Sequence, residues 1–159
     1  MTTMTASTSA PLVAALDEDA AQWFVGARTW IRTTAAHAGG VQGVIEFILP
    51  AGWGTPYHVH RNEDETFYVI DGEIRVFSGD QSWVAGPGGI AFLPCNIPHG
   101  FRVEGSAPVR ALHLATSIGF EGFVTDLSEP APPAGPPDFP KLALVAARYG
   151  IEILGPLPE

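Results

Sequence analysis

Residues 52–72 read Gly-Trp-Gly-Thr-Pro-Tyr-His-Val-His-Arg-Asn-Glu-Asp-Glu-Thr-Phe-Tyr-Val-Ile-Asp-Gly. On a β-strand successive side chains point to opposite faces, so His58 and His60 share one face. Two imidazoles on one strand face can chelate a single ion. Residues 61–64 read as a turn, which brings Glu65 back beside the pair. An N,N,O set of this kind suits a divalent transition metal. A third histidine, His99, sits in a second turn-rich stretch, residues 88–99. A His-X-His pair alone says little, because such pairs are commonly surface or structural; the spacing of the whole stretch carries the reading.

The flanking chain is a series of short β-prone segments divided by turn residues. Residues 23–32 read as a strand rich in aromatic and β-branched side chains, and residues 35–40 as a loop holding an exposed His37. Residues 41–49 form a second strand, ended by Pro50. Residues 66–70 and 73–77 flank Asp71-Gly72, a type I′ hairpin signal. Gly79-Asp80 marks the next turn, before a short strand over 81–85. After the 86–89 turn, strands over 90–93 and 101–104 flank the His99 stretch, and a last strand spans 109–115. With no helix-length pattern between them, the segments predict an all-β sandwich or barrel rather than βαβ units. If Glu65 points inward, so do Phe67 and Val69; if His99 does, so do Phe101 and Val103, with Arg102 outside.

The spacing of the first stretch is Gly52, five residues, His58-Val59-His60, four residues, Glu65, six residues, Gly72, which is the first motif of the cupin family. Gly88, Pro94, Asn96, His99 and Val103 keep the spacing of the second motif, with Asn96 in place of a glycine and Val103 in place of an asparagine. Asn tolerates the positive φ of a glycine position better than other residues. The chain therefore resembles a cupin, which implies an all-β jelly-roll barrel with a metal inside; the pattern after the barrel adds a short C-terminal helical tail. The resemblance implies His58, His60, Glu65 and His99 as ligands of one divalent transition metal: iron, manganese, nickel, cobalt, copper or zinc. With no internal repeat, a single cupin unit is expected.

The tail sharpens the resemblance. Residues 119–123, a Pro-rich connector and the run Ala147-Arg148-Tyr149-Gly150-Ile151-Glu152-Ile153-Leu154 look like small single-cupin proteins described as quercetin 2,3-dioxygenase-like. In that family a flavonol hydroxyl loses its proton and binds the metal, the ligand glutamate serves as base, and dioxygen opens the heterocycle with loss of carbon monoxide. Carried over, Glu65 is both ligand and base, the substrate is a phenolic small molecule, and dioxygen is the second reactant. A metal-dependent polyketide cyclase or isomerase, and a non-catalytic binding cupin, share the same ligands and stand as alternatives.

Other residues have open readings. His113, on the 109–115 strand, could act as acid or base, partner a ligand, or be a satisfied barrel histidine, the plainest of the three. Tyr57 could reach the cavity mouth or simply pack. Cys95 reads as a small buried hydrophobe rather than a reactive thiol. Trp53, Phe92 and Phe101 could wall a flat substrate.

In the tail, Phe120, Phe123, Val124 and Leu127 make a helical stripe. Residues 129–140 read as an extended Pro-rich connector. Asp138 reads as the N-cap of a helix with Pro140 in its first turn, an apolar face of Leu142, Val145, Ala146 and Tyr149, and Gly150 as its stop. The expected organisation is a disordered tail over 1–20, a barrel over 21–118, and a connector and helical tail over 119–159, packed outside the barrel or on a second subunit. A homodimer is expected, through residues 23–31 or the 142–149 helix.

Composition bounds the partners. The chain has 159 residues, one domain's worth, with 17 acidic against 8 basic residues and a net charge of −9. With no basic cluster, neither nucleic acid nor an anionic membrane surface is expected. No apolar run approaches membrane-spanning length. Cys95, the single cysteine, makes no internal disulfide, and residues 1–16 lack the basic and apolar regions of a signal peptide, so a cytoplasmic protein is expected.

Overall fold

Alternation along short strands builds the molecule, seen here in a computed structural model that describes residues 11–34, 37, 39, 41–116 and 119–159. The strands are β1 (Gln22–Phe24), β2 (Ala27–Thr33), β3 (Gly43–Leu49), β4 (Tyr57–His60), β5 (Glu65–Asp71), β6 (Ile74–Ser78), β7 (Gln81–Ala85), β8 (Ile90–Leu93), β9 (Gly100–Val103) and β10 (Val109–Ala115). The tail adds α1 (Phe120–Leu127), β11 (Ser128–Glu129), α2 (Phe139–Arg148) and β12 (Ile151–Gly155). A seven-stranded sheet runs β11-β1-β2-β3-β10-β5-β8. Facing it are a three-stranded sheet, β7-β6-β9, and the pair β12-β4. Single bridges at Gly54–Arg102 and His58–His99 tie β4 and the loop before it to the β9 side, so the two smaller pieces act as one layer. This is the cupin jelly roll.

On β5, Glu65, Phe67 and Val69 are buried while Tyr68 and Ile70 are exposed; on β10, Val109, Ala111, His113 and Ala115 are buried and Arg110 is exposed. Each buried aliphatic or aromatic side chain contributes about 1.5–3 kcal/mol, and the alternation fixes register because a one-residue slip would turn the whole set to solvent. Phe101 and Val103 are buried and Arg102 is exposed, as the pattern requires.

Two local expectations are corrected. Residues 23–32 are not one strand. They are the β1–β2 hairpin, in which Phe24 pairs with Ala27 across Val25-Gly26, both at positive φ, 49° and 84°. Val in that region is costly, so only long-range pairing makes the turn worthwhile. Nor does Asp71-Gly72 form a hairpin. β5 pairs with β10 and β8, whereas β6 pairs with β7 and β9, so the chain crosses from one sheet to the other there. Of the two residues only Gly72 has a positive φ, 79°.

The ends of the chain also differ from expectation. Residues 1–10 lie outside the described set. Residues 11–20, expected to be disordered, lie along β2: Trp30 Nε1 donates to Asp17 O at 3.0 Å, Arg32 donates to the carbonyls of Ala14 and Ala15, and Arg28 pairs with Glu18 at 2.8 Å. Most of the loop expected over 35–40 is outside the described residues; His37 is exposed. The tail does not pack against the barrel's outside. β12 pairs with β4, placing Ile151 opposite His60 and Ile153 opposite His58. The stripe of α1 and the apolar face of α2 (Leu142, Val145, Ala146) are buried within the chain, so that face of α2 is not free for a partner. Asp138 caps α2 by accepting from Lys141 N at 3.0 Å, and Gly150 stops it with φ 72°. Among the described residues no helix is long and apolar enough to cross a membrane.

The sheet crossing is tight. A Cβ on Gly72 would stand 2.6 Å from Pro108 O and 2.8 Å from Val109 Cγ2, whereas one on Gly79 (φ 58°) would meet nothing within 4 Å. Gly72→Ala should therefore cost about 2–4 kcal/mol, conformational strain plus overpacking. Gly79→Ala should cost only the left-handed strain of about 1–2 kcal/mol. Urea unfolding measures both; equal losses would show that crowding at the crossing is not the constraint.

Candidate metal centre

His58 and His60 lie on the inward face of β4, Glu65 opens β5, and His99 directly precedes β9; all are buried. His58 and His99 form a reciprocal backbone pair, His58 N to His99 O and His99 N to His58 O, both 2.8 Å. That bridge holds the two rings edge to face, 4.7 Å apart. One donor atom from each of His58, His60, Glu65 and His99 lies within 4.8 Å of the others.

The outer nitrogens settle which atoms point inward. His58 Nδ1 donates to Pro56 O (2.8 Å), His99 Nδ1 to Ile97 O (2.9 Å), and His60 Nδ1 to Glu63 Oε1 (2.5 Å). Each partner is an acceptor, so each Nδ1 carries the proton and each Nε2 of a neutral ring presents a lone pair. His58 Nε2 and His60 Nε2 stand 3.1 Å apart, and Glu65 Oε2 lies 3.1 Å from His60 Nε2 and 3.0 Å from His99 Nε2. Lone pairs at that separation repel unless a cation lies between them. Two neighbouring ligands of an octahedral ion, each about 2.1 Å from it, stand about 3.0 Å apart. The residues fit a divalent transition ion.

Electrostatics favours a neutral His58 and an ionised Glu65 but a protonated His60. Burial pulls the His58 imidazole down to about 4, partly opposed by Glu65 and reinforced by His60 and His99, so the ring is neutral at physiological pH. Burial also disfavours charge on His60, but Glu65 and Glu63 outweigh it and raise that ring above its ordinary value. For Glu65, burial pushes upward and is overcome by the neighbouring imidazoles of His60, His113 and His99, which hold the carboxyl well below the usual carboxylate range. A cation needs the carboxylate ionised and all three imidazoles neutral, so on binding it displaces the proton that Glu65 and Glu63 favour on His60.

The comparisons with known proteins bear on the fold. The cupin domain model matches residues 45–115, from β3 to β10. Over residues 45–115 the chain is similar to a cupin domain. KdgF from Halomonas sp. superposes with a TM-score of 0.54 at 16% identity, covering 61% of this chain and 85% of that one. A predicted oxalate decarboxylase from Thermotoga maritima gives 0.53 at 17%, covering 58% and 81%. A sugar phosphate isomerase from Silicibacter pomeroyi gives 0.50 at 23%, covering 57% and 59%. At these identities the likeness is one of fold. Comparison with curated proteins gives no match.

The barrel and its tail line an open-mouthed cavity of about 400 Å³ that reaches the four ligand residues. Trp53 and Phe101 line it, as expected for aromatic walls. Phe92 does not: it is 58% exposed, on the outer face of β8. Tyr57 is a packing residue, its hydroxyl donating to Pro98 O and accepting from Gly79 N. Cys95 is half-buried rather than buried, in a turn where its N–H meets Asp64 Oδ1 at 2.7 Å. Asn96 adopts φ 64°, the conformation its glycine-like position requires, and Val103 is buried.

Two contributions escaped the sequence reading. Glu63, buried in the turn before Glu65, orients His60; its spacing of three from a ligand histidine was the available signal. The tail supplies Phe120, Phe123, Pro137, Phe139, Leu142, Ile151 and Ile153 to the cavity wall, which no local pattern announces.

The site predicts one divalent ion per chain by elemental analysis. His99→Ala should abolish it. Glu63→Gln, which leaves every ligand in place but removes the charge behind His60, should weaken metal binding about 10–100-fold. Undiminished affinity in Glu63→Gln would show that the His60 ring is held by its strand alone.

Proposed function

We propose that this protein is a metal-dependent dioxygenase acting on a flavonol-like or other phenolic small molecule. The observation that supports this reading best is the polarity of the cavity. Among the described residues lining it, the polar side chains are the four of the ligand cluster and Thr55. The Thr55 hydroxyl is already engaged, accepting from Phe101 N at 3.0 Å. A sugar phosphate or an oxalate dianion, the substrates named in two structural neighbours, would bring polar atoms against apolar walls. Each one left unpaired costs about 1–3 kcal/mol. A flat aromatic molecule with an ionisable hydroxyl meets the opposite situation: its ring faces find Trp53, Phe67 and Phe101, and its oxygen finds the one polar end.

The ligand residues His58, His60, Glu65 and His99 would hold the ion. Bound there, a divalent transition ion supplies Lewis acidity toward a hydroxyl and, if redox-active, supports reaction with dioxygen. Three neutral imidazoles and one carboxylate leave a formal +1, which a phenolate neutralises. Glu65 accepts the hydroxyl proton; its carboxylate is ionised and sits where that hydroxyl must come. Phe120, Phe123 and Leu142 of the tail cover the cavity and keep water from the reacting centre, while the aromatic walls hold the ring in one orientation.

An oxygen electrode tests the reading. Protein loaded in turn with iron, manganese, cobalt or nickel should consume dioxygen with at least one planar phenolic substrate. At equal metal content, Glu65→Gln should lose about 10²–10⁴-fold in turnover while substrate affinity changes far less. If no phenolic substrate consumes oxygen with any of these ions, the cyclase, isomerase or binding reading takes its place.

A further inference from the structure

The two oxygens of Glu65 meet different neighbours. Oε2 faces the ligand cluster, near His60 Nε2 and His99 Nε2. Oε1 lies 2.7 Å from Nε2 of His113. The sheet register explains this contact: Ala115 pairs with Glu65 and His113 with Phe67, so His113 and Glu65 are diagonal neighbours on the inward face of β10 and β5. His113 is fully buried, and its Nδ1 has no hydrogen-bond partner among the described residues. A carboxylate only accepts, so Nε2 carries the proton and donates it to Oε1. Among the described residues that bond is the ring's one hydrogen bond. Phe120 and Phe67, with ring centroids 4.3 and 4.7 Å from the imidazole, hold the ring where it is.

We propose that His113 is a positioning residue that fixes Glu65 as a one-oxygen ligand. Its N–H occupies Oε1 and leaves Oε2 alone to face the ion. Rotation that brought Oε1 inward would strip a buried imidazole of its hydrogen bond, so the carboxylate is held in one orientation. The coordination position a second oxygen would take stays open to an exogenous oxygen donor. This rests on the four-residue ligand reading and not on the dioxygenase reading.

The test uses Co(II) alone as the probe, bound to the full chain. In His113→Phe, which keeps an aromatic ring among Phe67 and Phe120 but removes the donor, Co(II) affinity measured by chelator competition should fall about 10–100-fold and the visible bands should shift. In His113→Gln, whose amide N–H reaches about as far as Nε2, affinity and bands should return toward those of the unaltered protein. A histidine that merely fills space predicts the reverse order, with Phe harmless and Gln harmful, and that result overturns the proposal. A wild-type measurement does not depend on either variant folding: imidazole ¹⁵N shifts of the Zn(II)-loaded protein should show His113 protonated on Nε2, and protonation on Nδ1 would overturn the assignment. Failure of the unaltered protein to bind Co(II) would overturn the ligand reading, and this inference with it.

Discussion

Burying three imidazoles and a carboxylate inside an apolar barrel is the constraint on which the rest of the structure depends. Each polar atom must find a partner or cost the fold more than a hydrogen bond is worth. The outer nitrogens meet the carbonyls of Pro56 and Ile97 and the Glu63 carboxylate, and Glu65 Oε1 meets His113. These bonds point three lone pairs and one carboxylate oxygen at a common centre. The partners are two backbone carbonyls in turns and two residues on neighbouring segments, so the centre is rigid only because the barrel around it is. The reciprocal His58–His99 backbone bridge binds the two motif stretches to each other at the same place.

The tail joins the site through its strand. Pairing with the ligand strand β4, β12 sets Ile151 and Ile153 opposite His60 and His58. Arg61 extends the join by donating to Glu152 at 2.7 Å, and Asn62 donates to Tyr149 O. A segment anchored to the ligand strand on one side and carrying Leu142 and Phe120 on the other couples closure of the cavity to the position of the ligands. α1 adds Phe120 directly over His60 and His113, with ring centroids 5.7 and 4.3 Å away.

What the sequence made legible was local and periodic. Alternation alone assigned inward faces to Glu65, Phe67 and Val69 and to Phe101 and Val103, and motif spacing assembled the ligand set, because a strand's geometry is fixed over a few residues. The stripe of α1 and the Asp138 cap were equally local. The misses are contacts between distant segments. Asp71-Gly72 has hairpin chemistry, yet whether β6 returns to β5 or crosses to the other sheet depends on β9 and β10. Val25-Gly26 carries a β-branched residue that disfavours a turn, and only the pairing of β1 with β2 and β11 pays its strain. The place of β12 depends on an edge of β4 presented some 90 residues earlier, a separation that follows from the registered pair Ile153 and His58. Phe92 failed as a wall because alternation on β8 turns Leu93 inward, and Phe92 therefore outward.

Polarity in the cavity is arranged along one axis, and that arrangement decides more than volume does. A cavity of about 400 Å³ admits many small molecules. One polar end and apolar walls admit them in a single orientation, with the ionisable oxygen at the ligands, because any other pose buries that oxygen unpaired. The +1 of three imidazoles, one carboxylate and a divalent ion gives that oxygen an electrostatic reason to arrive as an anion. On the proposed reading, orientation and ionisation are thus two consequences of the same asymmetry. The barrel motifs supply the polar end; the tail, together with the 50–56 loop, supplies much of the apolar remainder. Chains sharing the ligand residues but differing after β10 would present the same ion to differently shaped and differently polar molecules, so on the proposed reading substrate choice rests on residues 119–155 as much as on the motif itself.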